Sequence, residues 1–458
     1  MKTSKMLPAA VIAALMAGAC STFDVPDLNN PGLDQLLTNP TRTGVLTAAT
    51  GLLIGERANF GSQNGYISVV GVFGRESYNF DPADPRFVTE LLIGPLNGGS
   101  PAFGGNLWAD RYANIRNANT LDSATKLVVG VSATEKEGIV GFLQTIKALD
   151  FLYIINTRDS IGAPIDVNIS PTAAPAAFAT RAEVYAYITA LLDSAATHLG
   201  AAGTSFPFAL STGFAGFDTP AQFLTVNRGL RARVAVYLDD FAGALTFLGA
   251  SFLNAAGPLT DGVYNSFGSG SGDALNALFD PQARAILAHP SLNTDAQLRV
   301  GGAQDLRFTT KVTTVTPAHT AQSHSSGFMF TIYTSSTAPV PIIRNEELIL
   351  LRAEANIGLN NLATAVTDIN TIRTTSGGLA VYGGAVTQAA LRTELLYNKR
   401  YSLMFEGHRW VDLRHYNLLN TMPLDLTGDK RFNRMPIPVG ECDPRSPAPT
   451  GCGTIAGF

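Results

Sequence analysis

The sequence has few charged residues, few tryptophans and few cysteines. Only 15% of its 458 residues are Asp, Glu, Lys or Arg, and the formal net charge is -4. Soluble domains average about 25% charged residues, so Ala, Thr, Ser and Asn must cover much of the surface. No basic cluster follows the first few residues, which argues against a nucleic-acid binder, because phosphate contacts need a concentrated basic surface. The hydrophobic content of 46% is ample for a large core.

The sequence also lacks the short motifs of several enzyme classes. None of its 6 histidines stands in an H-E-x-x-H or H-x-x-x-H pattern, so a zincin site is absent. There is no G-x-S-x-G nucleophile elbow and no G-x-x-x-x-G-K phosphate loop. The glycine-rich turn at 268–272 lacks the following helix of a dinucleotide site. The acidic pairs Asp239-Asp240 and Glu346-Glu347 point in different directions on a helix, which disfavours glycoside hydrolysis. We expect no catalytic residue, cofactor or metal.

The N-terminus has the pattern of an export signal. Two lysines precede the apolar stretch 6–16, and residues 17–19 are the small residues that a signal peptidase requires. The stretch is too short to span a bilayer, and no later stretch approaches the length that spanning needs. We predict a signal peptide over 1–19 and acylation of Cys20. Ordinary cleavage is the alternative, since Ala17 stands where lipoprotein signals usually have Leu.

Residues 20–37 contain prolines, glycine, Asn and Asp, which predicts an extended, lipidated tether. The remaining cysteines, Cys442 and Cys452, enclose a Pro- and Gly-rich segment. An exported protein reaches an oxidising compartment, so we predict a disulfide between them. Closing this loop contributes about 2–3 kcal/mol in the chain-entropy model. Metal ligation is the alternative, although no His or further Cys lies beside the pair.

Hydrophobic residues recur at helical spacing in much of the chain. Capping-box patterns begin two helices, at Thr134 with Glu137 and at Thr180 with Glu183. The predicted helices lie at 106–120, 134–156, from 181 onward, and at 224–237, 241–253, 347–359, 362–373 and 389–407. Helix pairs of roughly 34 residues with aromatic and small residues at their interfaces are typical of tetratricopeptide-like repeats.

The predicted fold class is therefore all-α, a tetratricopeptide-like helix-pair superhelix with long irregular, partly β insertions. Thr/Val alternation and aromatic content make 309–316 and 327–334 strand-like. The predicted organisation is a single domain over 38–458 with helical repeats at 38–58, 106–256 and 341–415, insertions at 59–105 and 257–340, and a C-terminal tail at 416–458.

One segment carries a motif that is specific to a known family. Residues 405–414, FEGHRWVDLR, resemble the F-E-G-x-R-[WF]-x-D-L-R signature of the SusD/RagB family. The chain departs from the family at Asn398-Lys399, where an acid and an arginine are usual, and at Ser402, which replaces a common Glu. We expect these changes to remove ion pairs from the last helix. Other family landmarks stand in the expected order: Trp108 to Asn119, Lys147-Ala148 to Tyr153, Arg181 to Tyr185, Asn227-Arg228, Arg344 to Ala355, Asp368 to Arg373, and Met435 to Pro438.

The resemblance implies a surface-exposed lipoprotein of the outer membrane that captures an oligomeric nutrient without catalysis. It implies delivery to a TonB-dependent, SusC-like transporter, with this chain as the lid. A glycan is the first expectation for the ligand and a peptide the second, since the family includes binders of both. A surface glycoside hydrolase and a protein-binding repeat scaffold are the alternatives outside the family's usual role.

In the resembled family the irregular insertions build the ligand site. Glycan recognition needs aromatic faces and planar polar side chains. Three segments of the insertions combine such residues. The predicted ligand-binding residues are Arg75, Tyr78, Asn79, Phe80, Asp81, Tyr264, Phe267 and Phe328, with His319, His324, Phe330 and Tyr333 beside the last.

We interpret the signature as structural. Glu406, Arg409, Asp412 and Arg414 alternate in sign among large apolar residues, which predicts a buried, mutually hydrogen-bonded network that fixes the last helix. Both tryptophans are assigned to packing, so a tryptophan shelf for sugars is not expected. The full set of predicted structural residues is Trp108, Arg344, Glu347, Arg373, Glu406, Gly407, Arg409, Trp410, Asp412 and Arg414.

Overall fold

The computed structural model describes residues 33–99, 106–170, 172–271 and 273–458. The predicted signal peptide, Cys20 and most of the tether lie outside these ranges. The helices are α1 (Leu33–Thr38), α2 (Arg42–Arg57), α3 (Tyr66–Phe73), α4 (Arg86–Thr89), α5 (Asn106–Leu127), α6 (Ala133–Arg158), α7 (Arg181–Ala201), α8 (Pro220–Tyr237), α9 (Phe241–Gly249), α10 (Ser291–Thr294), α11 (Leu306–Lys311), α12 (Asn345–Gly358), α13 (Leu362–Thr375), α14 (Gln388–Ser402), α15 (Arg409–His415) and α16 (Val439–Cys442).

The strands are short. They are β1 (Ser77–Asn79), β2 (Leu96–Asn97), β3 (Ala163–Pro164), β4 (Phe178–Ala179), β5 (Gly262–Asn265), β6 (Ile286–Ala288), β7 (Val312–Ala321), β8 (His324–Phe330), β9 (Val340–Arg344) and β10 (Thr454–Ile455). In the described part of the chain they form two-stranded antiparallel sheets: β1 with β6, β2 with β10, β3 with β4, β5 with β9, and β7 with β8.

The long helices pack against their neighbours in a continuous series. Helix α2 packs on α5, α5 on α6, α6 on α7, α7 on α8 and α8 on α9. Helix α9 then contacts α12, which packs against α13 and α14. Successive helix pairs of this kind bury one continuous core, as in tetratricopeptide arrays. The prediction of an all-α helix-pair fold is confirmed.

Helix α6 is the centre of the core. It is the one helix in the described ranges that is long and apolar enough to cross a membrane, by length and composition only, and 83% of its most apolar window is buried inside the protein. A helix that is apolar on all sides is a core helix when other helices surround it. The predicted start was wrong: Ser132 and Glu135, not Thr134 and Glu137, form the capping box. The box at Thr180 and Glu183 is confirmed.

The predicted last helix, 389–407, ends earlier than expected. Helix α14 ends at Ser402, and Phe405 and Gly407 then take φ values of 58° and 85°, which no helix interior allows. A separate helix, α15, begins at Arg409, beyond the predicted range. The helical hairpin of α12 and α13 is confirmed, with its turn at Asn360 and Asn361.

The two strand-like segments form the β7–β8 hairpin, but with shifted bounds. Strand β7 begins at Val312, because the six preceding residues form α11, whose first turn is capped by the carboxylate of Asp305. Strand β8 begins at His324 and ends at Phe330, earlier than predicted.

The C-terminal segment returns to the core. Cys442 and Cys452 form the predicted disulfide, with their Cα atoms 5.9 Å apart. The amide of Met435 donates to the carbonyl of Thr157 at 2.8 Å, which joins this segment to the end of α6. Metal ligation by the two cysteines is thereby excluded.

Candidate functional site

The signature residues lie in the interior, but their partners come from other elements. Glu406 accepts from Arg344 at 2.9 Å. Arg409 donates to the carbonyl of Gly74 at 2.9 Å, and Arg414 donates to that of Asn156 at 2.8 Å. The prediction of mutual hydrogen bonds within the signature was wrong, because the segment turns at residues 405–407 and faces several neighbours at once. The signature therefore joins the C-terminal helices to α3, α6 and β9.

The expected loss of ion pairs from the last helix was also wrong. The Nζ atom of Lys399 lies 3.0 Å from Glu354 and also contacts Asp412, and all three side chains are buried. Burial lowers the pKa of this ammonium, but the carboxylates of Asp412 and Glu354 outweigh burial and raise it. The other two residues that differ from the family pattern also make buried contacts. The side-chain carbonyl of Asn398 and the hydroxyl of Ser402 accept hydrogen bonds from Arg307.

The remaining predicted structural residues either pack in the interior or form buried ion pairs. The ring of Trp108 lies 4.7 Å from that of Tyr112 and beneath the guanidinium of Arg158. Trp410 is fully buried, and its indole N–H donates to the carbonyl of Phe432 at 2.6 Å. The other two charged members are paired inside: Glu347 with Arg233, and Arg373 with Glu394.

The first predicted ligand loop is part of the core. Arg75, Tyr78, Asn79 and Phe80 are 0%, 2%, 1% and 7% exposed. The guanidinium of Arg75 donates to the carbonyl of Lys430 at 2.7 Å. The ring of Tyr78 stacks on Phe80 at 4.9 Å between centroids. Pairing of β1 with β6 places the loop inside the fold, so these four side chains are buried in this structure, and their contact with a ligand stays a prediction.

Two further predicted ligand-binding residues, Asp81 and Phe328, lie at separate places on the protein. Asp81 closes a turn by accepting from the amide of Ala83 at 2.9 Å. Phe328 is half-buried on β8, where its ring meets that of Phe308 edge-on at 6.3 Å. The neighbouring candidates that are buried are His324, Phe330 and Tyr333. The structure does not bring these residues together with the other predicted contacts.

The two remaining candidates, Tyr264 and Phe267, lie in an open groove. Two adjoining clefts of about 430 and 320 Å³ share Thr212, Ser266 and Phe267. We call them together the Tyr264 groove. The residues that line it are Thr50, Leu53, Ile54, Arg57, 209–213, Ala215, Gly262, Tyr264, Asn265, Ser266, Phe267, Ser271, Asp273, Thr337 and Pro339. Both volumes lie in the range of small-molecule sites.

Strand alternation presents Tyr264 to the groove. Along β5 the side chains of Val263 and Asn265 are buried, whereas Tyr264 between them is half-exposed. The phenol donates to the carbonyl of Thr260, which fixes the ring, and burial raises the pKa of Tyr264 to about 12. The hydroxyl therefore stays protonated at neutral pH. A fixed aromatic face with a polar edge is suited to a ligand that has one apolar face and one polar face.

An ion pair supports the second aromatic ring. Arg57, at the end of α2, pairs with Asp273 and also donates to the carbonyl of Ser266. Its guanidinium carbon lies 5.6 Å from the centroid of Phe267, a cation–π distance. A hydrogen bond from the backbone amide of Ala274 and the pairing with Arg57 lower the pKa of Asp273, so the carboxylate is ionised.

Hydroxyl groups line the floor between the two clefts. The Oγ atom of Ser266 accepts from the amide of Gly213 at 2.7 Å and lies 3.2 Å from Oγ1 of Thr212. Glycine is required at 213, because a Cβ atom there would lie 1.9 Å from the carbonyl oxygen of Tyr264. This close approach holds the 211–213 segment against β5. The groove thus combines two aromatic rings, a salt-bridged arginine and several hydroxyls.

The sequence did not reveal half of this groove. Arg57 and the exposed Ile54 stand on a helix assigned to scaffold packing, and Ser211 and Thr212 stand in a loop with no recognisable pattern. The hydrogen bond from Arg57 to Ser266 joins residues 209 positions apart, and the contact of Thr212 with Ser266 joins residues 54 positions apart. No local signal in the sequence predicts such a contact.

The chain is similar to known proteins in part of its sequence and in its fold. Residues 307–438 match the sequence model of the SusD family. A SusD superfamily protein from Bacteroides vulgatus ATCC 8482 has a TM-score of 0.66 at 16% identity, over 90% of this chain and 98% of its own. A SusD-like carbohydrate binding protein from Bacteroides fragilis NCTC 9343 has a TM-score of 0.66 at 15% identity, over 83% and 87%.

A laminarin binding SusD-like protein has a TM-score of 0.63 at 16% identity, over 88% of this chain and 98% of its own. No protein with a curated description matches the chain in sequence. Identities this low establish a shared helical-repeat fold, and the contacts of any ligand have to be argued from the groove itself.

Proposed function

We propose that the chain is an outer-membrane lipoprotein of the SusD/RagB family that captures an oligomeric nutrient, most simply a glycan, in the Tyr264 groove. The observation that carries the proposal is the pair of aromatic residues, Tyr264 and Phe267, beside a salt-bridged Arg57 and a row of hydroxyls. Sugar rings have C–H faces that pack on aromatic rings and hydroxyls that bond planar polar groups.

The shape of the groove favours an oligomer. Its two clefts meet at Phe267, so a chain of several units that lies along both would contact Tyr264 and Arg57 at once. Two of the structural neighbours are named for carbohydrate or laminarin binding, which supports a glycan for this protein. A peptide is the second candidate, because the exposed Ile54 gives the groove an apolar wall.

We further propose that the protein acts without catalysis as the lid of a TonB-dependent transporter. Among the described residues that line the groove, the only carboxylate is that of Asp273, whose pKa is lowered and which is paired with Arg57, so it is unsuited to act as a general acid. A glycoside hydrolase usually needs a second carboxylate at a set distance. Closure on the transporter requires ligand contacts that differ between the open and closed states.

Acylation of Cys20 would hold the protein at the outer membrane. The proposal rests on the position of Cys20 after the signal-like residues 1–19. Mass spectrometry of the mature chain from membranes is expected to find an acylated Cys20 at its N-terminus. An unmodified N-terminus beyond Cys20 would contradict the anchor without affecting the groove.

Calorimetric titration with a panel of glycans and peptides tests the ligand, with laminarin and laminari-oligosaccharides as the first probes. Replacing both Tyr264 and Phe267 by alanine is expected to weaken binding of the best ligand at least about tenfold, the equivalent of 1.4 kcal/mol. Phe247→Ala is the matched control, because Phe247 is a half-buried aromatic on α9, outside the groove and outside the predicted ligand-binding residues. Equal losses in both variants, or none in the first, would contradict the assignment of the groove.

A further inference from the structure

A second cleft, separate from the Tyr264 groove, forms where three helices end. It has a volume of about 480 Å³ and shares no lining residue with the groove. Helices α6, α8 and α15 each stop beside it, and a residue with positive φ follows each: Asp159 at 46°, Asp239 at 58° and Asn417 at 57°. Asp and Asn tolerate this conformation and are common at helix ends. We call it the helix-end cleft.

The charges of the helix-end cleft cancel. Asp159 lies 3.0 Å from Arg181 and 3.4 Å from Arg414. Asp239 is exposed, and its carboxylate lies 3.3 Å from Nε2 of His415. Burial lowers the pKa of His415, so this imidazole is neutral at neutral pH. Among the side chains described at the cleft, two guanidiniums balance two carboxylates, and each carboxylate already has a partner, which favours an uncharged ligand.

Three carboxamides at the cleft have no hydrogen-bond partner among the described residues. The side chains of Asn417, Asn420 and Asn433 are exposed and make no hydrogen bond to the described residues. Each carboxamide offers two donors and an acceptor in one plane, which matches adjacent hydroxyls that donate and accept. Phe458, a residue that is 53% exposed, lines the same cleft and brings an aromatic ring to it.

From this arrangement we propose that the helix-end cleft is a second, independent binding site for an uncharged saccharide of one or two units. The carboxamides and the paired Asp159 and Arg414 would bond its hydroxyls, and Phe458 would cover its C–H face. A cleft of this volume encloses a ligand of that size. The proposal does not depend on the ligand of the Tyr264 groove.

Saturation-transfer NMR on the full chain tests it, with glucose, laminaribiose, cellobiose, maltose and xylobiose as probes and trialanine as the peptide probe. The measurements are made on the Tyr264→Ala/Phe267→Ala variant, so that the groove does not contribute. At least one disaccharide is expected to bind this variant. Adding Asn420→Ala and Asn433→Ala is expected to weaken its binding about tenfold, since the hydrogen bonds from both carboxamides are lost.

The two asparagines are exposed and unbonded, so the substitutions are expected to leave the unfolding midpoint unchanged. Absence of binding by every saccharide, binding that ignores the asparagine substitutions, or binding of trialanine alone would each overturn the proposal. Failure of the Tyr264 groove is recognised separately, because it is measured as unchanged affinity of the groove variant for the long glycan.

Discussion

At the scale of single residues, the chain differs from the SusD/RagB sequence pattern at Lys399 but still forms a buried ion pair there. Lys399 stands where an arginine is usual, and its ammonium lies between Glu354 and Asp412. The sequence shows the substitution but not the two carboxylates, which come from α12 and α15. A change of residue type near a signature therefore says little about lost contacts until the partners are known.

Lys399→Met is expected to lower the free energy of unfolding by about 3–5 kcal/mol, because two buried carboxylates lose their shared cation. The loss is expected to be smaller below pH 6, because burial raises the pKa of Asp412 to about 6 and protonation removes its charge. Urea denaturation at pH 7.5 and pH 5 measures both effects.

Lys126→Met is the matched control for this change. Lys126 is 69% exposed and pairs with Asp122 one helical turn away, so its loss is expected to cost at most about 0.5 kcal/mol. Equal losses in the two variants would show that the buried pair contributes no more than a surface pair.

A second residue-scale prediction concerns the pH dependence of folding stability. Glu56 is fully buried, and burial raises its pKa to about 8. The folded state thus binds a proton that the unfolded state releases above its usual pKa, so stability is expected to fall as pH rises from about 4.5 to about 8. Glu56→Gln resembles the protonated form and is expected to flatten this slope and to be more stable than the natural chain at pH 8. Thermal unfolding at several pH values measures this. If the melting temperature of Glu56→Gln and that of the natural chain fell equally across this pH range, the prediction would be contradicted.

At the scale of elements, helices were predictable and the insertions were not. Periodicity and capping located α5, α6, α7 and α8, because each buries a stripe or a whole cylinder of apolar residues. The loop at 75–80 looked like a ligand loop because it is rich in aromatic and polar residues. The same composition also suits a buried strand, and only its pairing with β6 decides between the two.

The C-terminal disulfide is an element whose contribution is measurable. Cys442 and Cys452 close a loop with a sequence separation of 10, which is expected to contribute about 2–3 kcal/mol by restricting the unfolded chain. The double variant Cys442→Ser/Cys452→Ser is expected to lose that amount in urea denaturation. Reduction of the natural chain with dithiothreitol serves as the control. A loss in the variant without a similar loss on reduction would indicate a packing effect of the substitutions instead.

At the scale of the whole molecule, the helical repeats fix the frame and long-range contacts build the site. Half of the candidate site was accessible to sequence reasoning, since Tyr264 and Phe267 are aromatic residues in an insertion. The other half, Arg57 and the 211–213 segment, depends on how the insertion lies across α2. Such placement follows from packing of the complete chain and leaves no local pattern.

The central claim is capture of an oligomer in the Tyr264 groove without turnover. The most direct measurement incubates the immobilised chain with laminari-oligosaccharides and the other members of the panel, elutes what is retained, and determines its length by mass spectrometry. Retention of at least one oligomer at unchanged length by the natural chain, and its loss from the Tyr264→Ala/Phe267→Ala variant, is the predicted result. Shortened products, or equal retention by both proteins, would contradict the account.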